Sequence, residues 1–342
     1  MNIILCFNIR HTKPDVHDPQ YLLEAEFDEP ETISVIKKSL RLLGHTVYLV
    51  EANENAYTKF RKLKNKTDIV FNIAEGIYGR DREAQIPAIL EMLQIPYTGP
   101  RPLGYALGLD KAKAKEIMSF NGVLTPWWVV ISCFEQVGAL KGSLQYPLIV
   151  KPVGEGSSKG IQAKNFIVNF AQLQKVTKEL LDTFSQNVLM EEYLPGREFT
   201  VAIIGNPPQI LPIIEVTFDK LPNDMPKFDH FEAKWIYDNP EEKSDPLICP
   251  AVVTTALEEK IKKTALEAFK ALDMADWARL DIRLDKKGRP NVIEINCPPG
   301  IIPDPKENSR FPRAARVGGL SYESMIEKIL RSACVRYGIQ YY

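Results

Sequence analysis

The chain is poor in the residues that staple or metallate a small fold. Its 342 residues include five cysteines and four histidines. Cys6, Cys133, Cys249, Cys297 and Cys334 are odd in number, scattered and without a CxxC pair, which argues against a disulfide framework and against structural zinc. His11, His17, His45 and His230 show neither HExxH nor any paired-ligand spacing, and no GxSxG elbow marks a serine nucleophile, so hydrolase readings are weak. No apolar run approaches the roughly 20 residues of a membrane span. Residues 1–7 lack the basic start and cleavage site of a secretion signal and read as a first strand. Excess charge is missing too. The 43 Lys and Arg against 44 Asp and Glu leave a net charge of −1, which removes any general electrostatic case for nucleic acid or membrane binding. A local basic cleft for a nucleotide remains open. The expectation is a soluble protein of a reducing cytoplasm.

Apolar residues, 45% of the chain, suffice for two or three domains. After the first strand and a polar stretch over 8–31, Ile33, Val35, Ile36, Leu40 and Leu43 predict a helix over about 32–43, ended by Gly44. Strands at 46–50 and 68–73, a loop at 76–79, a helix over 84–93 and a short strand-like piece at 95–99 continue the alternation. That order implies an N-terminal α/β domain with a mainly parallel sheet. Pro100, Pro102 and Gly104 form a hinge, and a helix over 111–120 and a strand over 127–131 follow. A Pro-rich polar segment, about 218–250, precedes a helix over 256–272. A connection of that length in a compact domain is functional or mobile.

The richest chemistry lies in a hairpin whose strands carry Arg279, Asp281, Glu294 and Asn296, joined through Asp285-Lys286-Lys287-Gly288. Residues two apart on a strand share a face, so these four polar groups point one way while Leu280, Ile282, Leu284, Ile293 and Ile295 point the other. Two carboxylates, an amide oxygen and a guanidinium suit Mg²⁺, a hard cation that shares its oxygen ligands with phosphate. Upstream, an apolar strand ends in Val150-Lys151 and runs into Gly154-Glu155-Gly156-Ser157-Ser158-Lys159-Gly160. Glycines there let backbone amides approach a phosphate, the serines add hydroxyls, and Lys151 supplies fixed positive charge. Neither GxxxxGK[ST] nor GxGxxG is present, so no P-loop or Rossmann site follows. Lys111 at a helix start reads either as solvated or as a phosphate ligand, and Glu191 and Glu192 as a charged strand end or a binding edge. Lys234 reads as surface or phosphate clamp. Glu198 inside an apolar strand needs a hydrogen-bonding partner, for which a ribose hydroxyl would serve.

Taken in order, Lys111, Val150-Lys151 with its Gly-Ser loop, Glu191-Glu192-Tyr193-Leu194, Gly196-Arg197-Glu198, Glu232-Ala233-Lys234, Arg279-x-Asp281 and Glu294-x-Asn296 resemble the ATP-grasp superfamily, specifically the D-alanine–D-alanine ligases. The resemblance spans nearly the whole chain. It implies an α/β (α+β ATP-grasp) fold with an N-terminal parallel α/β domain over 1–100. A central ATP-grasp subdomain over 101–190 and a C-terminal one over 191–342, carrying the metal and substrate site, would clamp the nucleotide. Lys111 and Lys151 would hold ATP phosphates beside Glu155 and Ser157 of the loop, Glu191, Glu192 and Leu194 the adenine, and Glu198 the ribose. Lys234 would close over the γ-phosphate, and Ser157 would lie between phosphate loop and substrate. Asp281, Glu294 and Asn296 would ligate two Mg²⁺ ions, with Arg279 stabilising charge on the acyl group. A substrate carboxylate would attack the γ-phosphate to give an acyl phosphate, and a second substrate's amine would then displace phosphate. The partners implied are small carboxylate and amine substrates, and a homodimer is a family habit.

The amino-acid pocket departs from the family pattern. Glu26 is the candidate for the glutamate that meets the first substrate's ammonium. Glu75 replaces the family's histidine, Trp235 stands where a tyrosine is common after the loop lysine, and Ser309-Arg310 replaces a serine-leucine pair at the second substrate's carboxylate. Arg80 and Arg82 lie near Glu75 in sequence. Buried polar mismatches reject substrates by orders of magnitude, so these changes bear on specificity, with Arg310, Arg80 or Arg82 taking a larger or more acidic substrate, or pairing with the acids around them. The rivals are a true D-alanine–D-alanine ligase with an unusual pocket and an ATP-binding module without turnover.

Overall fold

The computed structural model describes residues 1–12, 24–235, 237 and 245–341, with the side chain of Trp235 outside that set. Strand β1 (Asn2–Phe7) lies between β2 (Thr46–Glu51) and β3 (Ile69–Asn72), all parallel. A parallel sheet covered on both sides needs nearly continuous apolar strands, and the sequence of β1 supplies one. Its odd residues, Ile3, Leu5 and Phe7, face α1 (Pro30–Leu42), and its even residues, Ile4 and Cys6, share a core with α2 (Ala56–Leu63) and α3 (Gln85–Leu93). Helix α1 starts two residues before the sequence expectation because Pro30, lacking an N–H, fits the first turn. The strand-like piece at 95–99 reduces to a single parallel bridge between Tyr97 and Val70, with Pro96 and Gly99 limiting it.

Helices α4 (Pro102–Leu109) and α5 (Lys111–Phe120) follow, and Asp110 caps α5 by accepting the backbone N–H groups of Ala112 and Lys113. A four-stranded antiparallel sheet then forms from β4 (Trp128–Ile131), β5 (Leu148–Pro152), β6 (Phe166–Ile167) and β7 (Val188–Glu192), in the order β4-β7-β5-β6. Between β4 and β5 lies α6 (Glu135–Ala139), and α7 (Phe170–Phe184) packs Leu173, Val176 and Leu180 on Leu148, Val150, Val188 and Met190. The alternate residues, Lys151 and Glu191 among them, are left for the opposite face.

A second antiparallel sheet contains β8 (Glu198–Ile204), β9 (Gln209–Ile210), β10 (Ile214–Val216), β11 (Leu247–Ile248), β12 (Trp277–Leu284) and β13 (Pro290–Asn296). Its order is β11-β10-β8-β12-β13, with β9 added to β8. The short helix α8 (Phe231–Trp235) precedes β11 and α9 (Thr255–Ala271) precedes β12, while α10 (Arg310–Val317) and α11 (Tyr322–Tyr337) end the fold. One face of this sheet packs Phe199, Val201 and Leu280 on α9 and α5. Its other face shares one core with the first sheet: Trp277, Phe311 and Met325 meet Leu5, Ile36 and Phe71. Among the described residues no helix is long and apolar enough to cross a membrane.

A bulge corrects one sequence expectation. Register slips between Asp281, opposite Glu294, and Ile282, opposite Val292, leaving Ile293 as the extra residue. Val292 and Ile295 therefore enter the core, and Ile293, expected beside them, turns to the cleft instead.

Candidate active site

A cleft of about 340 Å³ opens between the two antiparallel sheets. On one wall, β5 carries Lys151 next to its last residue, Pro152, and the chain turns through residues 153–161 with Ser157 and Ser158 at φ of 50° and 60°, a left-handed conformation uncommon for any residue but glycine. Gly156 is required for a different reason. Its N–H donates to the Glu26 carboxylate, and a Cβ there would lie 2.6 Å from Glu26 Oε1. Lys111 Nζ donates to the Glu155 carbonyl at 2.5 Å and stands 3.5 Å from the Glu294 carboxylate, so one lysine spans the phosphate-type loop and the hairpin.

Behind this wall Glu191 sits between Lys115 Nζ at 2.8 Å and Lys151 Nζ at 2.6 Å, with all three side chains buried. Burial opposes the Glu191 charge, but the two ammonium groups outweigh it and hold the carboxyl below its usual range. Lys115, which also donates to Thr125 Oγ1 at 2.8 Å, is pushed down to about 8 by burial, against the pull of Glu191. Glu192, next along the chain, points to the half-exposed side and also lines the cleft, as does buried Leu194.

The opposite wall is the hairpin. Arg279 pairs across the strands with Asn296, and Asp281 with Glu294. The Asp281 carboxylate accepts from Thr200 Oγ1 at 2.6 Å, Arg279 Nη2 at 2.9 Å and Asn296 Nδ2 at 3.4 Å, while Arg279 Nε is buried without a hydrogen-bond partner among the described residues. Burial alone would raise the Glu294 carboxyl, yet Lys111, Lys151, Arg279 and Lys234 hold it down at about 2. Glu294 is thus ionised at any working pH. Among the described residues no group of three or more His, Cys, Asp or Glu side chains stands ready to hold a metal. Two carboxylates and an amide oxygen form a partial shell of hard donors, which fits Mg²⁺, an ion that keeps waters and shares phosphate oxygens rather than entering an all-protein cage.

Glu198 finds a protein partner in Arg283, whose Nη1 donates at 2.7 Å. Burial raises the Glu198 carboxyl to about 7 in spite of that guanidinium. Arg283 also donates to the Lys227 carbonyl at 2.5 Å and to Tyr193 Oη at 2.9 Å, lying 4.8 Å from the centre of the Tyr193 ring. Toward the N-terminal sheet, Arg82 Nη2 meets Glu26 at 2.5 Å and Glu155 at 3.7 Å, and its Nη1 donates to the Gly154 carbonyl at 2.9 Å. Burial, then Glu83 and Glu26, raise the Glu75 carboxyl far above its ordinary value, and burial pushes Glu83 up to about 8. The two carboxyls titrate as a pair.

The protein-family model described as D-ala D-ala ligase C-terminus matches residues 116–331. An uncharacterized protein of Sinorhizobium fredii is 35% identical over 306 residues, covering 87% of this chain and 86% of that one. The D-alanine–D-alanine ligase of Cupriavidus metallidurans is 32% identical over 268 residues, 78% of this chain and 76% of that one. The chain belongs to the D-alanine–D-alanine ligase family. It is an ATP-grasp ligase, an enzyme that forms C–N bonds. The crystal structure of the Bacillus anthracis D-alanine–D-alanine ligase complexed with ATP shares its fold, with a TM-score of 0.71 at 22% identity over 99% of both chains.

Of the candidate nucleotide, metal and substrate residues of this D-alanine–D-alanine ligase relative, all but Trp235, Arg80 and Arg82 line this cleft, Glu26, Glu75, Ser157, Lys234, Ser309 and Arg310 included. Trp235 closes α8, and its side chain lies outside the described residues. Arg80 does not join them: it is exposed, 3.5 Å from Asp110. Ser309 Oγ donates to the Gly300 carbonyl at 3.1 Å and accepts the Ile302 N–H at 3.2 Å, and Arg310 Nη1 lies 2.8 Å from Asp229. Sequence reasoning missed Lys115, Arg283, Glu83 and Asp229. The period-two rule that found Arg279 and Asp281 reaches Arg283 one step further along β12. Nothing local marks Lys115 or Asp229.

Proposed function

We propose that the protein is an ATP-dependent carboxylate–amine ligase that joins two small amino-acid-like substrates through an acyl phosphate. The observation that carries this is the cross-strand pairing that sets Arg279, Asp281, Glu294 and Asn296 in one wall of a cleft lined also by Lys111, Lys151 and Lys234. Carboxylates do not condense with amines unaided, because the carboxylate repels nucleophiles and its oxygen is a poor leaving group. Nucleotide phosphate supplies the missing leaving group. Lys111 and Lys151 would fix that phosphate, Glu191 keeping Lys151 charged. Asp281, Glu294 and Asn296 would hold Mg²⁺, two ions on the family pattern, which screen phosphate charge when bound. Arg279 would stabilise the negative charge that develops at the acyl centre. Glu191, Glu192 and Leu194 would flank the adenine and Glu198, oriented by Arg283, the ribose.

The pocket argues for substrates other than two plain D-alanines. Glu26 is engaged by Arg82 and by the phosphate-type loop, which leaves Glu75, with Glu83 behind it, as the acid positioned to meet an amine or hydroxyl of the first substrate. Five free thiols and balanced charge support a cytoplasmic enzyme, and a homodimer is proposed on the family likeness. The test is phosphate release with Mg-ATP against D- and L-amino acids and dipeptides, singly and in pairs, with products identified by mass. Release with D-alanine alone, yielding its dimer, would defeat the remodelled-pocket reading. No release with any pair would defeat the ligase assignment for amino-acid substrates.

A further inference from the structure

Arg310 and Asp229 form a buried pair that the chemistry above leaves unused. Arg310 opens α10 at a position next to Ser309, which is tied to Gly300 and Ile302 just beyond the metal-type hairpin. Its Nη1 stands 2.8 Å from Asp229, and the two side chains are 5% and 18% exposed. Three residues on, along the same face of the helix, Arg313 stands 2.7 Å from Asp245 and donates to the Leu247 carbonyl at 2.7 Å. One turn of α10 therefore holds the chain on both sides of α8, the helix that carries Lys234.

The segment ahead of Lys234 is held from two more directions. Arg283 of β12 donates to the Lys227 carbonyl, the Phe231 N–H donates to the Ile161 carbonyl at 2.8 Å, and the Glu232 carboxylate accepts the Ala163 N–H at 3.1 Å. The Lys234 N–H in turn donates to the His230 carbonyl at 3.0 Å, one residue after Asp229. Asp229, Arg310, Arg279 and Asp281 line the same cleft as Lys234, and Asp229 is the largest influence that favours its ammonium. Arg310 and Lys234 together hold the Asp229 carboxyl below its ordinary value against burial.

We infer that Asp229, clamped by Arg310, is a positioning residue for Lys234, and that Arg310 serves this pair rather than a substrate carboxylate. A substrate carboxylate that recruited Arg310 would strip Asp229 of its buried counterion, which is costly. The inference rests on the reading of Lys234 as a γ-phosphate ligand. It gives the arginine that replaces the family's leucine a use within the protein itself.

The test compares affinities of the full chain for Mg-ATP and Mg-ADP by calorimetry, because only ATP carries the γ-phosphate. Lys234→Ala, Asp229→Asn, Arg310→Leu and the Asp229→Asn/Arg310→Leu double variant are measured with the wild type, and Arg310→Lys serves as the milder change. Asp229→Asn and Arg310→Leu are each expected to weaken Mg-ATP about tenfold while Mg-ADP affinity stays unchanged. The double variant is expected to lose no more than either single one, and Arg310→Lys to recover part of the loss. Wild-type ATP-to-ADP preference in Asp229→Asn or Arg310→Leu, alongside a loss in Lys234→Ala, would overturn the inference and leave the ligase reading standing. Losses that multiply in the double variant, or equal loss of both nucleotides, would overturn it too. An unaltered preference in Lys234→Ala would remove the γ-phosphate role of Lys234 and this inference with it.

Discussion

Arg82 and Glu26 meet at 2.5 Å, and the same Glu26 carboxylate caps the Gly156 N–H, so a salt bridge within the N-terminal region also fixes the phosphate-type loop. Replacing Arg82 with methionine leaves Glu26 buried without its charged partner. Breaking such a pair by removing one member costs about 3–5 kcal/mol. A loss of unfolding free energy of that size, read from a lowered urea midpoint of Arg82→Met, is expected, and a midpoint within error of wild type would show that Glu26 finds another partner.

Gly156 offers a second probe of the same contact. A Cβ at this position would meet Glu26 Oε1 at 2.6 Å, so Gly156→Ala must displace the carboxylate or the loop. The expected result is an unchanged far-ultraviolet spectrum with Mg-ATP affinity reduced about tenfold, a loss of about 1.4 kcal/mol. Undiminished affinity would mean that the loop does not contact the nucleotide.

Lys234, as the proposed γ-phosphate ligand, is expected to set the alkaline limit of activity. Burial pushes its ammonium down to about 8, partly offset by Asp229. A lysine with a lowered pKa is charged below that value and neutral above it, so a step needing the cation is supported below pH 8 and lost as pH rises through it. The rate of phosphate release is expected to fall about tenfold per pH unit above the limit. Lys234→Arg should move the limit beyond the accessible range, because guanidinium does not deprotonate there.

Lys115→Met tests the ion pairs behind the cleft. Glu191 would keep Lys151 at 2.6 Å but lose Lys115 at 2.8 Å. A stability loss of about 2 kcal/mol is expected, below the full cost of an orphaned buried charge, since one partner remains. The check is a chemical denaturation curve, read beside the KM for ATP, which should rise as Lys151 reorients toward Glu191 alone.

Local patterns carried much of the fold. The apolar run of β1 announced a covered parallel strand, and the alternation around Arg279 and Asp281 announced a hairpin with one chemical face. Sequence period fails where geometry changes count, and Ile293 shows it, since one extra residue in β13 reversed its direction. The site was legible as a set of residue types but not as a set of partners. Glu198 was seen to need a companion, and the companion Arg283 lies 85 residues away. Lys115 looked like any lysine on a polar helix face because its burial depends on Glu191 from another sheet. Arg310 was read either as facing a substrate or as pairing with an acid, and nothing near it in sequence names Asp229 as that acid.

The core that Leu5 and Phe71 share with Trp277 and Met325 also sets an order of events during synthesis. A nascent chain emerges from the ribosome N-terminus first, so the face of the first sheet that packs on α1 waits for the rest of its cover until β12, α10 and α11 have been translated. The opening strand cannot finish folding as an independent unit, however complete its hydrogen bonding. Fragments that stop short of Trp277 should therefore leave part of that apolar surface sticky, and the quality of the first sheet depends on residues made much later.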